Sequence, residues 1–218
     1  MSEVAHNTQR GNSQRIIKGV GYVLLTIVTF VIVAISMFNL LYIQTIVSGT
    51  SMQPKFYEGD VAFVNRFLQG DKGDILVAEV PWGIDNAKVS VIKRYVAGEG
   101  DRVKFVKVSA TEIYLYVNGE KVVEPYVSGG QSMAYLEWTL FLEDNALTNN
   151  FEIDAEGYLV IPDNYVYLLG DNREESSDCS RYGPISRDNV IGKVDYVVKK
   201  GENVKGFIFN IIFNILRV

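Results

Sequence analysis

One histidine, His6, and one cysteine, Cys179, limit the chemistry this chain can perform. A Ser-His-Asp or Cys-His catalytic set, or a zinc site built from His and Cys, cannot be assembled downstream of residue 6. A serine hydroxyl activated by a neutral lysine amine remains available. Two stretches qualify. Ser51 lies in "GTSMQP", flanked by Gly49 and Pro54, and Lys93 lies in "VSVIKRYV". Strand alternation puts Val89, Val91, Lys93 and Tyr95 on one face, so Lys93 shares its side with apolar residues. A lysine normally titrates near 10.4 and is a poor base at neutral pH, and desolvation on such a face lowers it by several units. Taken singly, each residue also has an ordinary reading: Ser51 as a turn residue, Lys93 as a lysine snorkelling from a strand.

The elements that must position these residues are short β-type runs separated by Gly and Asp. "DVAFVN", "DILVAEV", "KVSVIKRYVAG", "RVKFVKV", "EIYLYVNGEKVVEPYV", "YLVI" and "YVYLLG" read as strands. Asn118-Gly119 marks a tight hairpin, because both central residues of that turn take positive φ. No helical period of comparable length is legible between residues 55 and 200, and residues 128–150 read as an extended hairpin or loop system. The fold class is therefore mainly β, an antiparallel β domain carried on one N-terminal transmembrane helix.

That helix is the stretch from Gly19 to Ile43. No charged residue occurs between Lys18 and Lys55. As a helix, residues 19–43 would run roughly 37 Å, enough for a hydrocarbon core of about 30 Å. The run is too long for the apolar core of a cleaved leader, which spans about 7–15 residues. Arg10, Arg15 and Lys18 precede it, which places the N-terminus in the cytoplasm and the rest of the chain on the extracytoplasmic face. Residues 1–18 are then a cytoplasmic tail. Residues 206–218, "GFIFNIIFNILRV", are apolar but short for a span; a membrane-surface helix and a last element packed on the domain both fit. The net charge of −5 removes nucleic acid from the partners.

Four ordered blocks, "SGTSMQP", "KGDILV", "KRYVAGEGD" and "GDNREESSD", resemble the motif blocks of bacterial type I signal peptidases. The resemblance runs from the anchor to about residue 195. It implies a membrane-bound serine endopeptidase that removes N-terminal signal peptides from exported preproteins through a Ser-Lys dyad, without metal or cofactor. Ser51 matches the nucleophile and Lys93 the general base. Ser176 matches a serine that orients the lysine, and Asp178 a structural carboxylate. Gly49, Met52, Asp74, Arg94, Asp101, Gly170, Asp171, Asn172 and Arg173 fall on positions that shape the site. The implied fold is a catalytic β core, residues 44–104 and 163–200, with an inserted β subdomain at 105–162 and a C-terminal apolar segment at 201–218. The implied partners are preproteins with Ala-x-Ala sites, membrane lipid and, indirectly, the secretion machinery. The alternative is a membrane-tethered β module that binds preproteins or surface-structure subunits without cutting them.

The chain departs from the family pattern in three places. Gly49 stands where some members place a serine that donates to the oxyanion. Gly98-Glu99-Gly100-Asp101 lacks the usual proline, which predicts a looser turn. The last block runs Asp178-Cys179-Ser180-Arg181, which sets Arg181 one place late for the usual Asp–Arg pair and makes Cys179 a small, semi-buried residue without thiol reactivity.

Overall fold

The computed structural model describes residues 2–202, so the segment at 206–218 lies outside the described residues. The chain divides into two units, residues 1–42 and 43–218. The first is built on one helix, α1 (Ser2–Leu41). Within it Ile17–Leu41 is long and apolar enough to cross a membrane by length and composition. Thr26 and Thr29 return their hydroxyls to Tyr22 O and Leu25 O at 2.8 and 2.9 Å, so neither presents an unpaired donor to apolar surroundings. The helix begins earlier than the apolar run and stops two residues sooner than the sequence predicts. Tyr42 and Ile43 open strand β1 (Tyr42–Ile46), whose aromatic and β-branched residues favour an extended backbone.

The second unit holds two antiparallel sheets. The larger takes β1, β2 (Val61–Asn65), β3 (Ile75–Val80), β4 (Val89–Gly98), β9 (Tyr165–Leu169), β10 (Ile185–Ser186) and β11 (Val190–Val198), in the order β1-β2-β11-β3-β4-β9-β10. The smaller takes β5 (Arg102–Lys107), β6 (Ile113–Val117), β7 (Glu120–Lys121) and β8 (Leu159–Val160), in the order β7-β6-β5-β8. Asn118 and Gly119 both have positive φ, as the hairpin requires. One buried core joins the sheets, with Leu76 and Ala78 of β3, Tyr95 of β4, Phe105 of β5, Leu115 of β6 and Tyr167 to Leu169 of β9 in mutual contact.

Residues 128–150 are not the hairpin or loop system the sequence suggests, because Ser132–Thr148 forms a helix, α2. Its buried residues Ala134, Trp138, Phe141 and Asn145 follow a helical spacing, and the Trp138 ring packs 5.9 Å from Phe105. Met133, Leu136, Leu140 and Leu147 lie exposed on other faces among Glu143 and Asp144, so the apolar period is masked in the sequence. Asn149, at φ 51°, closes the helix and donates its N–H to Asn145 O.

Candidate active site

Val47 N–H donates to Asp60 O and Gly59 N–H to Val47 O, at 2.8 and 2.9 Å, closing residues 47–60 into a loop between β1 and β2. Within it Gln53 N–H donates to Thr50 O and Phe56 N–H to Met52 O, which tightens the chain around Ser51. Gly49 takes φ +80°, a conformation that strains a side-chain-bearing residue. Met52 is buried with Val47, Phe56, Ala62 and Ile75, so an apolar anchor directly after Ser51 fixes the turn to the sheet.

Lys93 sits in the middle of β4, opposite Leu76 of β3, and is 5% exposed. Its Nζ lies 2.6 Å from Ser51 Oγ. Burial lowers the Lys93 pKa below the ordinary lysine value, and this outweighs the opposing pull of the Asp178 carboxylate. The other face of β4 carries Arg94. Its Nε and Nη2 donate to the two oxygens of Asp171 at 2.7 and 2.6 Å, and its Nη1 donates to Gly73 O at 2.6 Å. The guanidinium also lies 3.9 Å from the centre of the Tyr126 ring.

The stretch from Gly170 onward packs against the serine turn. Asn172 N–H donates to Ser51 O at 3.0 Å, and its side-chain amide reaches Thr50 O at 3.3 Å. A Cβ on Gly170 would stand 2.2 Å from Ser176 Oγ and 2.6 Å from Ser51 O, so only glycine allows this approach. The Ser176 hydroxyl donates to Asp178. Asp178 also accepts from Gly170 N–H at 2.8 Å and caps α3 (Cys179–Tyr182) by accepting from Ser180 N–H at 3.0 Å. Lys93 thus faces a carboxylate held by three donors.

The three departures from the family pattern have structural outcomes. Arg181 pairs with Asp144 of α2 at 2.9 Å and not with Asp178. Cys179 is fully buried rather than semi-buried, and it accepts from Leu168 N–H at 3.2 Å. Burial pushes its thiol well above the ordinary range, which keeps it un-ionised. The turn at 98–101 is closed without proline, because Asp101 accepts from Gly98 N–H, Lys72 and Asn118 at 2.8 Å each. Asp74 accepts from Asp71 N–H at 2.8 Å and pairs with Lys193 at 3.0 Å, away from Ser51.

The last block is tied to the rest of the domain through Glu124, Gln131 and the start of α2, none of which carried a sequence signal. Arg173 pairs with Glu124 and donates to Gln131 at 2.8 Å. Its neighbour Glu174 accepts from Ser132 N–H at 2.7 Å and Met133 N–H at 3.2 Å, capping the N-terminus of α2. Glu174→Ala is expected to destabilise the protein by about 1 kcal/mol, the usual cost of losing an N-terminal cap. The check is the shift in urea midpoint, with Glu174→Gln retaining part of the difference.

A cleft of about 120 Å³ runs beside Ser51, lined by Thr45 to Gly49 and by Ser90 to Lys93. A larger one, about 470 Å³, lies against β6 and residues 121–131 and touches neither Ser51 nor Lys93. The smaller cleft is the one with reactive groups in its wall. Among the described residues no group of His, Cys, Asp and Glu is disposed to hold a metal ion.

Comparison with known proteins gives a consistent match. The family profile described as "Signal peptidase, peptidase S26" covers residues 20–199. Signal peptidase I V of Bacillus subtilis (strain 168) is 31% identical over 172 residues, spanning 77% of this chain and 92% of that protein. Signal peptidase I of Bacillus caldolyticus is 32% identical over 152 residues, 69% of this chain and 76% of the other. Signal peptidase IB of Staphylococcus aureus (strain Mu50 / ATCC 700699) is 31% identical over 159 residues, 69% of this chain and 74% of the other.

Proposed function

Because the chain belongs to the signal peptidase family, peptidase S26, and is a serine peptidase, we propose that it removes signal peptides from exported preproteins with Ser51 as nucleophile and Lys93 as general base. The observation that carries this reading is the 2.6 Å approach of a buried lysine amine to a serine hydroxyl. Neutral Lys93 accepts the Ser51 proton as Oγ bonds to the scissile carbonyl carbon. The tetrahedral intermediate then expels the new amine, which takes the proton from Lys93. Water, deprotonated by Lys93, attacks the acyl ester carbon; the tetrahedral species collapses with breakage of the bond to Ser51 Oγ, which takes the proton back from Lys93 as the acid product leaves. With Gly49 lacking a hydroxyl, the Ser51 N–H is the donor to the oxyanion, worth about 3–4 kcal/mol by the usual cost of losing such a donor.

Ser176 acts on Lys93 through Asp178, while Met52, Arg94 and Asp171 hold the turn and the last block in register. The narrow cleft beside Ser51 suits the small side chains of Ala-x-Ala sites. Residues 44–104 and 163–200 form the catalytic core, 105–162 the insert. α1 anchors the protein in the cytoplasmic membrane lipid, with Arg10, Arg15 and Lys18 keeping the N-terminus inside and the catalytic residues outside, beside the secretion machinery.

The test is cleavage of a preprotein bearing an Ala-x-Ala site by the detergent-solubilised full chain, beside Ser51→Ala. The parent is expected to cut after that site, and the variant to lose about 10⁴-fold or more in kcat, as loss of a nucleophile does elsewhere. Equal cleavage by parent and variant, or none by the folded parent, would overturn the proposal.

A further inference from the structure

The loop that carries Ser51 is held at its base by a second charged pair, remote from the reacting atoms. Asp60, the last residue of the loop, is 1% exposed. One carboxylate oxygen accepts from Tyr57 N–H at 3.0 Å and from Lys199 Nζ at 2.9 Å. The other accepts from Lys200 N–H at 2.9 Å. Lys199 Nζ also donates to Lys55 O at 2.7 Å and lies 5.5 and 5.7 Å from the ring centres of Phe56 and Tyr57. The ammonium therefore contacts the limb that descends from Ser51, while Asp60 O receives Val47 N–H from the ascending limb.

Lys199 reaches this place because β11 pairs with β2 in the register Val198 opposite Val61, which brings the residue after the strand against the residue before it. Burial alone would raise the Asp60 pKa, but Tyr57 N–H and Lys199 outweigh it and hold the carboxyl below its ordinary range. Asp60 is thus charged wherever the enzyme works.

We propose that Asp60 and Lys199 are positioning residues for catalysis, clamping the descending limb of the 47–60 loop to the end of β11 so that Ser51 Oγ stays within bonding distance of Lys93. The inference rests on Ser51 being the nucleophile. A displacement of about 1 Å at a reacting atom costs on the order of 10²-fold in rate; Met52 and the Asn172 N–H fix the turn near Ser51, and the charged pair adds a tie at the base of the loop. Thr45 and Ile46 of β1 and Ser90 to Ile92 of β4, which form the cleft walls outside the loop, do not depend on the pair, so KM changes less than kcat.

The experiment measures kcat, KM and thermal midpoint for Lys199→Met, Asp60→Asn and Lys199→Arg in the detergent-solubilised full chain, with Ser51→Ala alongside. In Lys199→Met and Asp60→Asn, kcat is expected to fall about 30- to 100-fold, the scale of such a displacement, with KM within about twofold. Lys199→Arg keeps the charge and recovers most of the rate. The pH at which kcat/KM is half-maximal stays where it is in the parent, since the pair does not face Lys93. A folded Lys199→Met or Asp60→Asn with the parent's kcat would overturn the proposal. Failure of both to fold would overturn it too, because the pair would then serve the whole domain and not one turn. If Ser51→Ala still cleaves, the nucleophile assignment fails; if Ser51→Ala is silent and the folded clamp variants turn over like the parent, only the clamp fails.

Discussion

Replacing Lys93 by methionine is expected to lower kcat for preprotein cleavage by about 10⁴-fold or more while leaving the protein folded, because the base is lost and the apolar stem is kept. Lys93 is buried among neighbours that a thioether suits, so the thermal midpoint should not fall. Lys93→Arg should be as inactive as Lys93→Met, since a guanidinium holds its proton to about pH 12 and beyond. Only a lysine that sheds its proton serves. In the parent, kcat/KM follows the neutral fraction of Lys93, rising about tenfold per pH unit below the lowered pKa and levelling above it.

The same shift appears in stability with a definite sign. Below the folded-state pKa, both folded and unfolded chains hold the proton and Lys93 adds no slope. Between that value and the ordinary value of 10.5, only the unfolded chain holds it, so stability rises with pH; above 10.5 the slope vanishes again. Urea midpoints of parent and Lys93→Met across this window should converge or cross in that sense. A kcat/KM profile that does not rise with pH below the lowered Lys93 pKa, with chemistry rate-limiting, or a Lys93→Arg variant that cuts, would exclude the general-base role.

Arg94→Met is expected to destabilise the protein by about 3–5 kcal/mol, the usual cost of removing one partner of a buried ion pair. Asp171 is fully buried and its two oxygens receive both arms of the guanidinium, so the substitution strands a carboxylate with no route to water. Gly73 O loses its donor as well. A second substitution, Asp171→Leu, should recover part of the loss by removing the stranded charge, so the double variant is more stable than the sum of single effects predicts. Urea denaturation of the four proteins checks this. A single-variant cost below about 1 kcal/mol would place the pair among the weak surface bridges.

The proposed dyad was legible chiefly through the ordered motif blocks, since Ser51 and Lys93 taken singly each have an ordinary reading. Alternation put Lys93 on a face with Val89, Val91 and Tyr95; the structure buries Lys93 and Tyr95 but leaves Val89 exposed and Val91 half-buried. The Asn118-Gly119 hairpin was legible locally: two positive φ angles select two residue types. Helix α2 was not, because Leu136, Leu140 and Leu147 blur the stripe made by Ala134, Trp138 and Phe141, although that stripe, with Asn149 after it, was the available signal. The partner of Arg181 depended on α2 and was hidden with it. Asp60 and Lys199, far apart in the chain, meet only through the register of β11 on β2, which no composition or spacing encodes.

The strand order also sets a timetable. β11, the last strand of the larger sheet, lies between β2 and β3, and so between the hairpin side that carries the serine turn and the strand pair that carries the lysine. During synthesis the ribosome delivers Ser51 and Lys93 long before the strand that joins their halves of the sheet. A nascent chain ending before Val190 holds both reactive groups and lacks the strand between β2 and β3. The proposed Ser-Lys site is therefore held in a complete sheet only once the chain has been made as far as Val198.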